Sequence, residues 1–142
     1  MEEPKESHGF PRVAGEVLVV DDEDVVRRVT LQVFEKAGIP CTGAPGGEAA
    51  VELVRAAPGR FRLVLLDFTM VGWDGARTHA ELLNVDPNLA VLAMSGFSGA
   101  ETLARFAEPR PASFLQKPFS PADLRRAVWA MCDARPELIA AQ

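Results

Sequence analysis

Five residues of this chain have side chains that could do chemistry and share one kind of neighbourhood: Asp21, Asp22, Asp67, Ser95 and Lys117. Each sits at the end of an apolar run, with VLVV before Asp21, LVLL before Asp67, LAVLAM before Ser95 and ASFLQ before Lys117. Taken singly, an Asp, Ser or Lys in such a place is an ordinary loop residue. Taken together they describe a site. Three carboxylates gathered at one edge raise one another's pKa unless a cation neutralises them. Mg²⁺ fits, because it takes hard oxygen ligands, uses one or two carboxylates and leaves positions for water and phosphate oxygens. A carboxylate can also be the nucleophile toward phosphorus, provided donors meet the charge on the phosphoryl oxygens. The Lys117 ammonium and the Ser95 hydroxyl are donors of that kind.

For these residues to meet, the runs that carry them must be parallel strands, which place their carboxyl ends on one edge of a sheet. The run Leu63–Leu66 has no polar alternation, as expected of a strand covered on both faces. Val17–Val20, Leu89–Met94 and Ala112–Gln116 read likewise as strands. Pro40–Ala44 is a weak strand diluted by Gly43 and flanking prolines, suited to an edge. Between them lie helical patterns. Asp24–Ala37 places Val26, Val29, Val33, Phe34 and Ala37 on one stripe, with Asp24 as cap, Gly38 as terminator and Leu31 off the stripe. Glu48–Ala57 carries Ala50, Leu53, Val54 and Ala57. Asp74–Asn84 and the short Ala100–Ala107 are weaker, and Pro121 opens a last helix with Leu124, Ala127, Val128 and Met131 inward. Strand and helix alternate throughout, which implies right-handed crossovers and a parallel sheet with helices on both faces.

The 142 residues suit one domain. Residues 1–14 read as a flexible tail or linker, 15–135 as the domain and 136–142 as a C-terminal tail. A net charge of −5 without a block of Lys or Arg argues against a general nucleic-acid or membrane-surface binder. Cys41 and Cys132 match no metal spacing, the start MEEPKESHGF is no secretory leader, and no apolar run is long enough for a membrane span; a cytoplasmic location is the expectation.

VLVVDDED, LVLLDFTMVGWDG, LAMSG and FLQKPF, in this order and spacing, resemble the four site motifs of the receiver domain of two-component signalling. The similarity covers about residues 16 to 132. It implies a flavodoxin-like (βα)5 fold with a five-stranded parallel sheet of order 2-1-3-4-5. It further implies a phosphorylatable switch, not an enzyme with an external substrate, in which Asp67 accepts a phosphoryl group from a phosphohistidine of a sensor histidine kinase or histidine phosphotransfer protein. Asp22 and Asp67 would ligate Mg²⁺ directly, Asp21 through water, and Thr69 through its backbone carbonyl. Ser95 matches the switching hydroxyl, Phe114 the aromatic that moves with it, and Lys117 the site lysine, with a cis bond between Lys117 and Pro118. A downstream protein partner would read the face of helix four, strand five and helix five, with no direct nucleic-acid contact. The pattern MSGFS followed by FLQKPF is similar to receivers that end hybrid histidine kinases.

Val71 departs from the proline common in the family, and Phe114 lacks the hydroxyl of the commoner tyrosine. Phe97, two residues after Ser95, with Thr69, is placed to hinder an attacking water. Trp73 and Trp129 read first as packing residues, and neither His8 nor His79 has the context of a phosphodonor. Two alternatives stand beside this reading. A phosphatase of the haloacid-dehalogenase type would use Asp22 as nucleophile and Asp24 as its partner, although Val26 then replaces a hydroxyl residue. A receiver-like module that only binds would have no need of the full set of five.

Overall fold

Val17 and Val19 pack into one apolar cluster while Leu18 and Val20 pack into another, and the same division separates Leu63 and Leu65 from Val64 and Leu66. Alternate side chains of a strand point to opposite faces, so two cores need strands that are apolar at every position. The computed structural model describes residues 9–111 and 113–141. Its strands are β1 (Glu16–Val20), β2 (Cys41–Ala44), β3 (Phe61–Asp67), β4 (Ala90–Ser95) and β5 (Ser113–Gln116), all parallel, in the order β2-β1-β3-β4-β5. The helices are α1 (Asp24–Lys36), α2 (Gly47–Ala56), α3 (Gly75–Val85), α4 (Gly99–Leu103) and α5 (Pro121–Ala134). α1 and α5 cover one face through Phe34, Leu124, Val128 and Met131; α2, α3 and the turn after α4 cover the other through Val51, Val54, Leu82 and Phe106. The flavodoxin-like order 2-1-3-4-5 is as expected.

Several local expectations are corrected. Glu23, not Asp24, is the N-cap residue of α1, and it makes no side-chain cap; Asp24 is the first helical residue and pairs with Arg27 at 2.6 Å. The buried stripe of α1 is also rotated. Thr30 and Phe34 are buried and Leu31 packs on the core, whereas Val29 is 52% exposed and Ala37 lies outside. Thr30 tolerates burial because its hydroxyl donates to the Val26 carbonyl at 2.8 Å. α4 is shorter than expected, ending at Leu103 and not at Ala107, and the chain turns after it so that Phe106 is buried. Ala112, expected to start β5, lies outside the described residues.

The stretches expected to be tails pack on the domain where they are described. Val13 is buried and bridges Ile139 in antiparallel fashion; the Ala14 N–H donates to the Leu138 carbonyl at 2.6 Å, and the Ala140 N–H to Arg12 at 2.7 Å. Leu138, in a single 3₁₀ turn Pro136–Leu138, is buried in the same core. Phe10 packs against Phe34 with the rings tilted by 57° and 5.6 Å between their centres. These apolar residues were hidden among prolines and charges, which dilute any periodicity.

Candidate functional site

The register of the sheet brings the expected residues to one edge. β1 runs beside β3 with Val20 opposite Leu66, so Asp21 and Asp67 leave neighbouring strands side by side. β3 pairs with β4 and β4 with β5, and the Lys117 N–H donates to the Ser95 carbonyl at 2.7 Å, placing Ser95 and Lys117 on the same rim. Asp21, Asp67 and Ser95 are buried, and Asp22 is half-buried. Asp21, Asp22 and Asp67 each offer a carboxylate oxygen within 4.8 Å of the others.

Lys117 reaches into this cluster from β5. Its Nζ lies 2.7 Å from Asp21 Oδ2, 3.3 Å from Asp67 Oδ2 and 3.5 Å from Glu23 Oε1. Burial works against its charge, but the two aspartates outweigh this and raise its pKa, so it stays an ammonium. Asp67 is pushed up to about 7, first by burial and then by the charge of Asp21, against the lowering effect of Lys117 and of the Thr69 backbone N–H. One ammonium therefore does not compensate the carboxylates. The donor set is hard, oxygen-only and negative in excess, which fits a small divalent cation and not a soft metal.

The loops hold these groups in place. Asp21 Oδ1 accepts the Glu23 N–H at 2.9 Å, and its carbonyl accepts Arg27 Nη1 at 2.8 Å. After Asp67 the chain is pinned by Phe68 and Met70, both buried, and closes through the Gly75 N–H donating to the Phe68 carbonyl at 2.7 Å. A Cβ at Gly75 would lie 2.5 Å from Phe68 Cα, so only glycine lets α3 begin there. Asp74 caps α3, accepting the Arg77 N–H at 2.8 Å. Ser95 Oγ accepts the Phe97 N–H at 3.0 Å. The Lys117–Pro118 bond is cis. Phe114 packs in the cluster that contains Ala93, its partner across β4, with its ring over Gly99 at the start of α4. A cleft of about 590 Å³ opens above Asp67, with Val25, Val29, Phe97 and Phe119 in its walls beside Lys117.

A family model for the response regulator receiver domain matches residues 17–129. The chain belongs to that family. It is 32% identical over 108 residues to the response regulator receiver protein CpdR of Brucella abortus, covering 76% of this chain and 88% of that one. It is 28% identical over 117 residues to the sensor kinase CckA of the same organism, covering 82% of this chain and 12% of the kinase. A receiver domain from Clostridium thermocellum shares the fold, with a TM-score of 0.77 at 19% identity over 89% of this chain and 100% of that one. The receiver is thus a phosphorylatable switch of two-component signalling. Receivers interact with histidine kinases or phosphotransfer proteins and bind Mg²⁺ through acidic residues; an aspartate cluster of this kind is present here. No helix among the described residues is long and apolar enough to cross a membrane.

The dehalogenase-type alternative finds no support in the geometry. Asp24, its required partner for Asp22, is exposed on α1 and engaged by Arg27, turned to a different group from the one Lys117 serves. Two contacts were not legible beforehand. Glu23 as a third carboxylate near Lys117 follows only from the helix start, and the Val71 backbone N–H, which donates to Asp22 Oδ2 at 2.9 Å, leaves no mark in side-chain chemistry.

Proposed function

We propose that Asp67 is the phosphoacceptor of this receiver, taking its phosphoryl group from a phosphohistidine on a sensor histidine kinase or a histidine phosphotransfer protein. The observation that carries this reading is the single ammonium of Lys117 set between Asp21 and Asp67 at a strand-end rim that also holds Asp22 and Ser95. An Asp67 oxygen attacks phosphorus, the phosphorus–nitrogen bond breaks, and the electron pair returns to the imidazole, which takes up a proton. Asp21, Asp22, Asp67 and the Thr69 carbonyl would hold Mg²⁺, which when bound supplies positive charge to the phosphoryl oxygens. Lys117 neutralises a second oxygen and Ser95 donates its hydroxyl to a third.

Moving the Ser95 hydroxyl toward the phosphoryl group breaks its bond from the Phe97 N–H and frees space that Phe114 can fill, shifting a two-state equilibrium on the face of α4, β5 and α5. A downstream protein reads that face. The apolar walls of the cleft over Asp67 support a docking partner with an apolar helix around its histidine. The chain catalyses only its own phosphorylation and its loss, in the cytoplasm. Its match to one small part of a sensor kinase supports a place within a hybrid kinase.

Incubation with Mg²⁺ and a small phosphodonor, followed by intact mass at neutral pH, tests the reading, with beryllofluoride binding as the stable equivalent. One adduct in the wild type that vanishes in Asp67→Asn is expected. Persistence in Asp67→Asn with loss in Asp22→Asn would instead make Asp22 the nucleophile.

A further inference from the structure

Val71 has a side chain that is 89% exposed and a backbone that is tied inward. Its N–H donates to Asp22 Oδ2 at 2.9 Å, joining the loop after β3 to the loop after β1. The buried Phe68 and Met70 fix one end of that loop, and Gly72, at φ +83°, turns the chain immediately afterwards. The amide is therefore held on the carboxylate by its surroundings and not by its own side chain.

We propose that the Val71 backbone N–H is a positioning group for the cation-binding carboxylate of Asp22. This rests on the reading of Asp21, Asp22 and Asp67 as the Mg²⁺ site. A carboxylate on a loop can rotate, and each freely rotating ligand must be ordered when the cation arrives. A hydrogen bond to one oxygen fixes the plane of the group and leaves the other oxygen for the metal. An ionised acceptor makes such a bond short and strong. The amide also draws some charge from Asp22, which by itself weakens cation binding. Orientation wins, because losing a group that holds a ligand typically lowers metal affinity by about ten- to a hundredfold. Any residue but proline supplies the donor. Valine in place of the family's common proline therefore gives this chain a hold on Asp22 that a proline there cannot make.

The pair Val71→Ala and Val71→Pro isolates the amide, since alanine keeps it and proline removes it. Mn²⁺ is the probe, its free concentration read by electron paramagnetic resonance and its site verified by competition with Mg²⁺. Val71→Ala is expected to bind within about twofold of wild type, and Val71→Pro at least about tenfold more weakly. If Val71→Pro does not fold by circular dichroism, the ester variant made by placing the α-hydroxy analogue of valine at position 71 removes the same N–H without a ring. Wild-type affinity in the folded proline or ester variant overturns the proposal, as does a tenfold loss in Val71→Ala. Absence of Mg²⁺-competed Mn²⁺ binding in the wild type would sink the site itself, a different failure.

Discussion

The Lys117 ammonium lies 3.3 Å from Oδ2 of Asp67, close enough to steady the carboxylate's charge and, with Asp67 as the proposed phosphoacceptor, to meet an oxygen of the incoming phosphoryl group. Lys117→Met removes that charge and leaves Asp67 facing Asp21 alone. The rate of adduct formation from a small phosphodonor is expected to fall by roughly 10²- to 10³-fold, as when one preorganised donor is lost from a developing anion. Stopped-flow or intact-mass kinetics measure this. A rate within threefold of wild type would show that Lys117 serves the resting site and not the transfer.

The same cluster makes stability depend on pH. Burial and Asp21 raise Asp67 from 3.8 to about 7 in the folded chain. The folded state then binds the proton more tightly than the unfolded one, so stability falls as pH rises from about 4 and levels off above about 7. The accumulated penalty is on the order of 2 to 4 kcal/mol. Asp67→Asn lacks it. In a metal chelator, the melting temperature of Asp67→Asn minus that of wild type should grow between pH 4 and 7 and then stay flat. A difference that does not change with pH would contradict the raised value.

How the sequence encoded these features differs by kind of residue. The strand-end acids, Ser95 and Lys117 were legible because each closes an apolar run, and a parallel sheet converts that into a shared edge. The phase of α1 was not, because Val25, Val26 and Val29 offer two stripes and the choice fell to a threonine, Thr30, whose hydroxyl is satisfied inside the helix. The terminal arm was missed because Phe10, Val13 and Leu138 gain burial by joining the shared core, a tertiary effect with no local period. Backbone donors such as the Val71 amide are carried by every residue except proline and so are silent in composition.

Phe97 is 60% exposed and stands with Thr69 at the cleft over Asp67. A ring in that place is expected to hinder water from reaching a phosphoryl group on that carboxylate. Phe97→Ala is expected to speed loss of the phosphoryl group by about three- to tenfold, through easier entry of water. Following the adduct by intact mass after removal of the phosphodonor measures it. Loss that is rapid in wild type and unchanged in the variant would remove Phe97 from the account.

The terminal arm gives a stability prediction. The Trp129 indole N–H donates to the Gly9 carbonyl at 2.8 Å, and Phe10 and Val13 bury apolar surface on α1 and the core. A chain beginning at Gly15 loses all three contacts. A destabilisation of about 3 kcal/mol is expected from the two apolar side chains, lowering the melting temperature by roughly 10 °C, with Trp129 emission shifted to the red. An unchanged melting temperature would mean that the arm contributes no net stability.

Gly99 and Phe114 give the most direct probe of the switch. A Cβ at Gly99 would sit 2.9 Å from Cδ1 of the Phe114 ring, closer than carbon atoms pack. Alanine is otherwise the better residue in a helix, so Gly99→Ala should help α4 and harm only the contact with the ring. In wild type the substitution is expected to cost about 1 to 2 kcal/mol, the usual effect of overpacking. In a Phe114→Ala background the cost should disappear or change sign, giving a coupling of about 1 kcal/mol or more in a double-mutant cycle by urea denaturation. The ring cannot move without relieving or tightening that contact, so Gly99→Ala should also shift the midpoint of beryllofluoride binding, and Phe114→Ala should cancel the shift. Additive effects in both measurements would separate α4 from the aromatic and leave the ring without a lever on the face proposed for partners.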